Sequence, residues 1–208
     1  MRPDEVYLQG LQQQIAQGSQ VAFSGLFRLF YSRLHSFSLQ YVHVNEIAEE
    51  ITNDVFVKLW NRRTEIAQVQ NLSTYLFVSV KNHSINYLRQ YSHIHIAVED
   101  AAGSSGLINR NDPGEELEWK EISFQLSQAI EALPDQCRTV FRLIKEDGFR
   151  YKEVAEILGI SPRTVETQLF RAIRKLQPLI AKYTSSARGK GSRTPLISGL
   201  VFFFSFFF

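Results

Sequence analysis

The stretch YKEVAEILGISPRTVETQLFRAIRKL, Tyr151–Leu176, decides the fold of this chain. Ala155 is small enough for two helices to approach closely, and Gly159 suits the left-handed turn that ends a helix. Ser161 can cap the following helix, and Pro162 fits its first position. This order of features predicts a helix-turn-helix. The residues spaced to face inward are Val154, Ala155 and Leu158 in the first helix, Ile160 in the turn, and Val165, Leu169, Ile173 and Leu176 in the second helix.

The outward side of the second predicted helix has side chains suited to duplex DNA. The N-terminal part of a recognition helix faces base edges in the major groove. There, Arg163 can pair with guanine and Glu166 can accept from cytosine. Arg171 and Arg174 lie further along the helix, where contacts to phosphate are expected. The predicted DNA-contacting residues are Arg163, Thr164, Glu166, Thr167, Phe170, Arg171 and Arg174.

The distribution of charge supports this prediction better than the net charge of +2 does. No acidic residue follows Glu166, whereas seven lysines and arginines do, so the local field attracts nucleic acid. An ordinary helical hairpin with a solvated basic face is the alternative that charge alone would favour. The joint pattern of alanine, glycine turn, cap and proline favours a DNA reader. One feature departs from the pattern: no Ser, Thr or Asp cap precedes the first helix at Arg150–Tyr151.

Helical periodicity dominates the rest of the chain, and the predicted fold class is all-α. In the N-terminal half, Gly18-Ser19 opens one helix, Asn45 can cap a second, and Ser73 starts a third that reaches about Tyr91. These helices form a first predicted domain over residues 5–95.

A change of composition separates the two halves. Residues 96–118 contain glycine, proline and an excess of acid, which predicts a flexible acidic linker. The second predicted domain, residues 119–183, opens with a helix from Trp119 to Leu133. Pro134 then fits the first turn of the next helix, whose apolar stripe includes Cys137 and which ends at Gly148. Two small helical domains joined by a linker are therefore expected, with the helix-turn-helix in the C-terminal one.

The last segment, residues 184–208, is basic and then rich in phenylalanine, and we expect it to be disordered. Its apolar part, Leu196–Phe208, is shorter than the roughly 20 residues that a membrane-spanning helix needs. It also has the composition of an aggregation-prone segment. A functional segment, a short membrane anchor and an extension foreign to the rest of the chain all remain open.

Four blocks of the sequence, taken in order, resemble the extracytoplasmic-function (ECF) group of the sigma-70 family. The resemblance covers about residues 5–182, and it implies a sigma factor that directs promoter-specific transcription by RNA polymerase. The wording around Cys137 is most similar to the iron-citrate-type sigma factors of Bacteroidetes-like bacteria. The blocks that precede the helix-turn-helix are Ala22–Leu34, AEEITNDVFVKLW at Ala48–Trp60, Leu72–Arg89, and ALPDQCRTVF at Ala132–Phe141.

The resemblance implies that the second helix docks on the clamp helices of the largest polymerase subunit. The polymerase flap is a further expected contact. Phe56 and Trp60 could instead be core residues, since an aromatic pair four residues apart is common in cores. The polar Asp54 and Lys58 are therefore the better interface candidates. The predicted docking residues are Asn53, Asp54, Phe56, Val57, Lys58 and Trp60.

The resemblance also implies that residues 62–73 and the helix after them melt the −10 promoter element and hold an unstacked base, while the helix-turn-helix reads the −35 element. Base capture needs an electropositive groove with planar or amide groups. Tyr75 could instead pack in the core, and His83 could be an ordinary surface histidine. The predicted −10 residues are Asn71, Tyr75, Lys81, Asn82 and Arg89.

Other classes of function fit less well. A response-regulator output protein needs a receiver domain of alternating strands, which the helical N-terminal half does not offer. An enzyme is not supported, because no phosphate-binding glycine loop or metal-ligand cluster is recognised. We expect no cofactor and no small-molecule substrate. The single cysteine, Cys137, excludes a disulfide framework and fits a cytoplasmic protein. The resemblance further implies an anti-sigma partner, expected to be membrane-bound.

Overall fold

The computed structural model describes residues 4–91 and 115–189. Most of the predicted linker and the Phe-rich tail lie outside the described residues. Within them every regular element is an α-helix, which confirms the all-α prediction. None of these helices is long and apolar enough to cross a membrane. In chain order the helices are α1 (Glu5–Ala16), α2 (Gln20–Val42), α3 (Asn45–Asn61), α4 (Arg63–Ile66), α5 (Leu72–Tyr91), α6 (Glu115–Glu131), α7 (Asp135–Lys145), α8 (Tyr151–Leu158) and α9 (Pro162–Gly189).

Two boundaries differ from those that the sequence suggests. Helix α6 begins at Glu115, inside the predicted linker and four residues before Trp119. Helix α9 continues to Gly189, so the first six residues of the predicted tail are helical. Pro178 lies inside α9 and has no N–H to donate to the carbonyl four residues earlier. Helix ends are harder to predict than helix interiors, because residues that favour a helix continue past both predicted boundaries.

The described residues fall into two compact units. One consists of residues 4–91 together with 139–166, and the other of residues 115–138 together with 167–189. The first unit therefore contains α1–α5, α8 and the adjoining parts of α7 and α9. It includes residues of both predicted domains.

The core of the first unit is built on α2. Its residues Leu26, Phe30 and Leu34 are fully buried at i, i+4 and i+8 and pack with the buried faces of α3 and α5. Phe23 contacts Phe56 and Trp60 of α3, with ring centroids 6.1 and 5.0 Å away. Burial of large aromatic and aliphatic side chains supplies most of the stabilisation of such a core.

The helix starts are partly as predicted. The Ser19 hydroxyl accepts from the Ala22 N–H at 3.2 Å and caps α2. Asn45 does not cap α3, because it is already the first helical residue and Val44 occupies the cap position without a side-chain acceptor. For α5 the cap is Asn71, whose Oδ1 accepts from the Thr74 N–H at 3.0 Å. Ser73, expected to start that helix, is buried within its first turn.

A buried glutamine fixes the polar interval between α3 and α5. The Gln12 amide donates to the carbonyls of Ile66 and Val69 at 3.0 and 2.9 Å. These bonds satisfy backbone acceptors where the chain turns after the short helix α4. These two hydrogen bonds therefore hold the backbone of residues 62–73, the segment predicted to act at the −10 element, against α1.

The helix-turn-helix forms as the sequence predicts. Gly159 has φ +70°, the left-handed conformation that ends α8. Ser161 Oγ accepts from the Thr164 N–H at 3.0 Å, and Pro162 is the first residue of α9. Each helix of the motif has one predicted inward residue that is off by one position. In α8, Ile157 is fully buried where Leu158 was expected, and Leu158 is half-buried.

Ala172 likewise takes the buried place that Ile173 was expected to hold, and Ile173 is half-buried. Both shifts have the same cause, since positions one residue apart differ by only 100° around a helix.

The second unit buries Ile130, Leu133, Cys137, Leu169 and Leu176. The Cys137 thiol donates to Gln168 Oε1 at 3.0 Å, and the same amide donates to Gln136 Oε1 at 2.8 Å. Cys137 is therefore a packed core residue with a defined polar partner.

Candidate nucleic-acid interface

The predicted −35 residues lie on α9 with their side chains open to solvent. Thr164 is the exception, because its hydroxyl pairs with Ser161 Oγ at 2.8 Å and it is half-buried. Its part in the cap makes it a positioning residue for the start of the helix. Phe170 is 63% exposed, unusual for a residue of this size. The remaining exposed positions are Arg163, Glu166, Thr167, Arg171 and Arg174.

Glu166 influences the first helix of the motif. Burial raises the pKa of the Tyr151 phenol, and the negative charge of Glu166 raises that pKa further. The carboxylate thus lies near the start of α8 while remaining exposed to solvent. An exposed acceptor at this point can receive a hydrogen bond from the amino group of cytosine.

The start of α8 has no Ser, Thr or Asp cap, and a side chain from the first turn of the helix takes part of that role. Glu153 Oε2 accepts from the Arg150 N–H at 2.7 Å, which is the reciprocal half of a capping box. The sequence carried this signal, since Glu153 stands three residues after Arg150.

The predicted −10 residues on α5 and at its N-cap divide into two groups. Tyr75, Asn82 and Arg89 are exposed and follow one another at multiples of the helical repeat, so they share one face. Asn71 and Lys81 are half-buried against α8 and the turns that flank it. Burial lowers the pKa of the Lys81 ammonium.

Contacts between α5 and the segment 147–159 were not predicted. Asn71 Nδ2 donates to Glu153 Oε1 at 2.6 Å, and Phe149 packs edge-on against Phe77 at 4.9 Å. Arg33 on α2 pairs with Asp147 at 2.6 Å. These partners are more than 70 residues apart in sequence, and no local pattern could have identified them.

On α3, four of the predicted docking residues are exposed and two are not. Asn53, Asp54, Val57 and Lys58 lie on the solvent side, with Val57 56% exposed. Phe56 is only 2% exposed and packs on Phe27 at 4.8 Å. The structure therefore removes Phe56 from the docking prediction, because a core side chain has no surface to offer a partner.

Trp60 is half-buried. It packs on Phe23 and under the guanidinium of Arg63, 5.1 Å from the ring centroid.

His83 positions one of these exposed residues. Its Nδ1 lies 2.9 Å from the Ser79 carbonyl, to which it donates, so Nε2 is the acceptor. Lys58 Nζ donates to that Nε2. The histidine thus bridges α3 and α5 and holds the lysine on the solvent side, a role that its spacing in sequence did not indicate.

No group of three or more His, Cys, Asp or Glu side chains in the described residues lies close enough to hold a metal ion.

Comparison with known proteins identifies the family. The model of sigma-70 region 2 matches residues 26–94, and that of sigma-70 region 4 matches residues 123–176. Together they cover more than half of the chain, and both belong to one family. The region 2 match covers α2 from Leu26 onward together with α3, α4 and α5. The region 4 match covers α6 from Ser123 onward, α7, α8 and the part of α9 that ends at Leu176.

Three named sigma factors are similar to this chain over most of their own length. RNA polymerase sigma-H factor of Pseudomonas aeruginosa is 26% identical over 183 residues, covering 83% of this chain and 95% of that protein. The ECF sigma-E factor of Haemophilus influenzae is 26% identical over 183 residues, covering 83% and 96%. The ECF sigma factor SigW of Bacillus subtilis is 26% identical over 172 residues, covering 78% and 92%.

Solved structures show a similar fold. CnrH in complex with the cytosolic domain of CnrY aligns with a TM-score of 0.51 and 20% identity, covering 84% of this chain and 97% of that one. The sigma factor RpoE of Bartonella quintana, in complex with the anti-sigma factor NepR, aligns with a TM-score of 0.56 and 21% identity, covering 76% and 96%.

The chain therefore belongs to the sigma-70 family of transcription factors. Within that family it is an ECF sigma factor, which acts with RNA polymerase in transcription initiation. Sigma factors are non-catalytic transcription factors.

Proposed function

We propose that the chain docks on core RNA polymerase through the exposed face of α3, a surface formed by Asn53, Asp54, Val57 and Lys58. The observation that supports this docking most strongly is that α3 has one buried face and one exposed face. Its other side is packed into the core through Ile51, Val55 and Leu59 and their neighbours. The solvent side combines charges with an exposed valine. An apolar side chain rimmed by polar ones is the usual composition of a protein interface.

Replacement of Asp54 by lysine tests this docking. We expect Asp54→Lys to weaken association of the full chain with core polymerase about tenfold or more, equivalent to about 1.4 kcal/mol, because an interface charge is reversed. Glu121→Lys is the matched control, an acid-to-lysine change on the exposed surface of α6. Fluorescence titration of labelled protein with core polymerase measures both. Equal affinities of the two variants would rule out the α3 surface as the docking site.

For promoter recognition we assign direct base reading at the −35 element to Arg163, Glu166 and Thr167, and phosphate contacts to Arg171 and Arg174. The first three stand in the first turns of α9, the end that enters the major groove in this class of motif. The −10 element is assigned to the exposed α5 face of Tyr75, Asn82 and Arg89. An amide, a phenol ring and a guanidinium are suited to hold an unstacked base.

Within the ECF group, we propose that this chain is one of the iron-citrate-type sigma factors. The proposal rests on the sequence ALPDQCRTVF at Ala132–Phe141. This placement predicts that the target promoters precede genes for outer-membrane transporters. Chromatin immunoprecipitation of the tagged chain checks the prediction, and binding sites confined to unrelated genes would contradict it.

We further propose that the chain works in the cytoplasm under control of an anti-sigma factor anchored in the membrane. One solved neighbour is named in complex with the cytosolic domain of CnrY, and the other in complex with the anti-sigma factor NepR. Affinity purification of the full chain from its own cells, before and after detergent extraction, tests this. A membrane protein with a cytosolic helical segment is expected among the partners. Its absence from both fractions would contradict the proposal.

A further inference from the structure

We propose that the Phe-rich segment Leu196–Phe208 docks in a groove between α6 and α9 of its own chain. Six of the last seven residues of this segment are phenylalanines, and none of the roles assigned above uses them. Both walls of the groove belong to the second compact unit. The proposal therefore does not depend on the promoter-reading roles.

The groove is formed mainly by one face of α6. Its volume is about 680 Å³, within the range of roughly 300–1,000 Å³ that ligand sites usually have. Spacings of three and four residues place its α6 members on one side of that helix. A leucine of α9 completes the lining. The lining residues are Glu121, Phe124, Gln125, Gln128, Ala129 and Leu179.

Phe124 gives the groove an exposed aromatic ring. It is 61% exposed, although phenylalanine is among the residues most often buried. Of the phenylalanines whose side chains the structure describes, only Phe124 and Phe170 are exposed. Phe170 lies on the face of α9 that is assigned to DNA. Because aromatic rings pair favourably when they are offset or edge to face, Phe124 suits an occupant that carries phenylalanines.

The rest of the groove combines apolar side chains with polar ones. Ala129 and Leu179 are half-buried and add apolar surface. Gln125 Nε2 donates to Glu121 Oε1 at 3.1 Å, so these two polar groups partner each other. Apolar surface bordered by polar groups is the usual composition of a site that binds protein.

The length of chain beyond the groove allows the segment to return to it. Helix α9 ends at Gly189, ten residues after Leu179, which is about 15 Å at about 1.5 Å per residue. Residues 190–201 precede the phenylalanines, and twelve extended residues span up to roughly 40 Å. The connection is therefore long enough. A segment tethered in this way meets its site at an effective concentration on the order of millimolar.

The distribution of charge favours the same arrangement. The chain between Leu179 and the first phenylalanine of the segment has four basic residues and no acidic one. The first seven residues of α6, Glu115–Glu121, include four acidic residues and one lysine. Opposite charges therefore attract the connecting chain towards α6.

The composition of the segment favours an occupied groove within one molecule. Val201–Phe208 has no charge and no proline, which is typical of segments that stack from chain to chain. Docking in the groove of the same chain covers apolar surface that would otherwise promote this association. A second copy of the chain and a lipid membrane are the competing partners for the segment, and the experiment separates them.

Photo-cross-linking of the full chain tests the docking. The photoreactive residue p-benzoylphenylalanine in place of Phe124 keeps an aromatic ring in the groove. The same replacement of Tyr7 on α1, which is 53% exposed, is the matched control. We expect illumination to join position 124 to residues 196–208 in an adduct of monomer mass, mapped by peptide mass spectrometry. Position 7 should give this adduct about tenfold less, because the tether does not favour that site.

Three results would overturn the docking. One is the absence of an adduct between position 124 and the segment, or equal yields from positions 124 and 7. Another is an adduct found only in cross-linked dimers, which would assign the segment to a second copy. The third is loss of the adduct when vesicles of phosphatidylcholine and phosphatidylglycerol are added and the chain floats with them, which would assign the segment to a membrane. An adduct that persists with vesicles present supports the docking.

Proteolysis gives an independent measurement on the same groove. Chymotrypsin cleaves after phenylalanine, so its rate within residues 202–208 reports whether this part of the segment is covered. Phe124→Lys places a charge in the groove, and Tyr7→Lys is the control. We expect cleavage to be about tenfold faster in Phe124→Lys, because cleavage follows the population of the undocked form. Equal rates in the two variants would contradict the docking.

Discussion

The carboxylate of Glu153 accepts hydrogen bonds at the starts of two helices. Its two oxygens accept from Arg150 at the start of α8 and from Asn71 at the start of α5. The local half of this role follows from the spacing of a capping box. The other half joins positions 82 residues apart and depends on the tertiary fold alone.

Arg163 is expected to read a base, and Arg174 a phosphate. Arg163→Ala should weaken binding to the −35 duplex by about 1–3 kcal/mol and relax specificity at one base pair, since a bidentate contact to guanine is lost. Arg174→Ala is the comparison: it should weaken binding to every duplex and lower the salt dependence. Titrations of both variants against matched and mismatched duplexes separate these outcomes. Equal losses on all sequences for Arg163→Ala would exclude base reading.

Asp147 makes stability depend on pH. Burial raises the pKa of its carboxyl above the ordinary value of 3.8, and the attraction of Arg33 opposes that shift without cancelling it. The folded state therefore holds this proton more tightly than the unfolded state does. The free energy of unfolding should fall as pH rises from about 3.8 through the raised folded-state pKa, and this contribution should be constant above it.

Urea denaturation across that pH range measures the effect. Asp147→Asn should remove the fall, because an amide does not titrate, while Glu146→Gln at the exposed neighbour should retain it. If the free energy of unfolding of Asp147→Asn falls by the same amount over this pH range, the pH dependence comes from other groups.

At the scale of elements, α8 and α9 were the most predictable part of the chain. Gly159, Ser161 and Pro162 each have a strong local preference, and together they fixed the turn before any tertiary contact was known. The start of α3 was less predictable, because Asn45 has cap chemistry but lies one position too late. Phe56 is a similar case: its type is compatible with core and interface alike, and only the packing of α2 on α3 decides.

The turn itself offers a test of this local control. Gly159→Ala should destabilise the fold by about 1 kcal/mol, since a residue with a Cβ is strained in the left-handed region. A clash is not the cause, because the nearest atom to the added Cβ is Lys81 Nζ at 3.6 Å. Gly159→Asn should recover much of the loss, as asparagine tolerates this conformation. The urea unfolding midpoints of the two variants measure these changes in stability. An equal loss of stability in both variants would mean that backbone strain is not the cause.

At the scale of the whole molecule, the sequence predicted the all-α class and the two family regions, but it did not predict that residues of both share one compact unit. Hydrophobic periodicity indicates which face of a helix is buried and does not indicate which partner covers it. The contact of Phe149 with Phe77 and that of Arg33 with Asp147 are of this kind.

The most direct test of the central claim is run-off transcription with purified core RNA polymerase and a library of genomic promoter fragments. Adding the full chain should produce transcripts from a small set of promoters that share two sequence elements, and disrupting either element should abolish each transcript. Core polymerase alone should produce none of them. If the chain associates with core polymerase and yet yields no promoter-specific transcript, or transcripts that do not depend on either element, a two-part promoter reader would be contradicted.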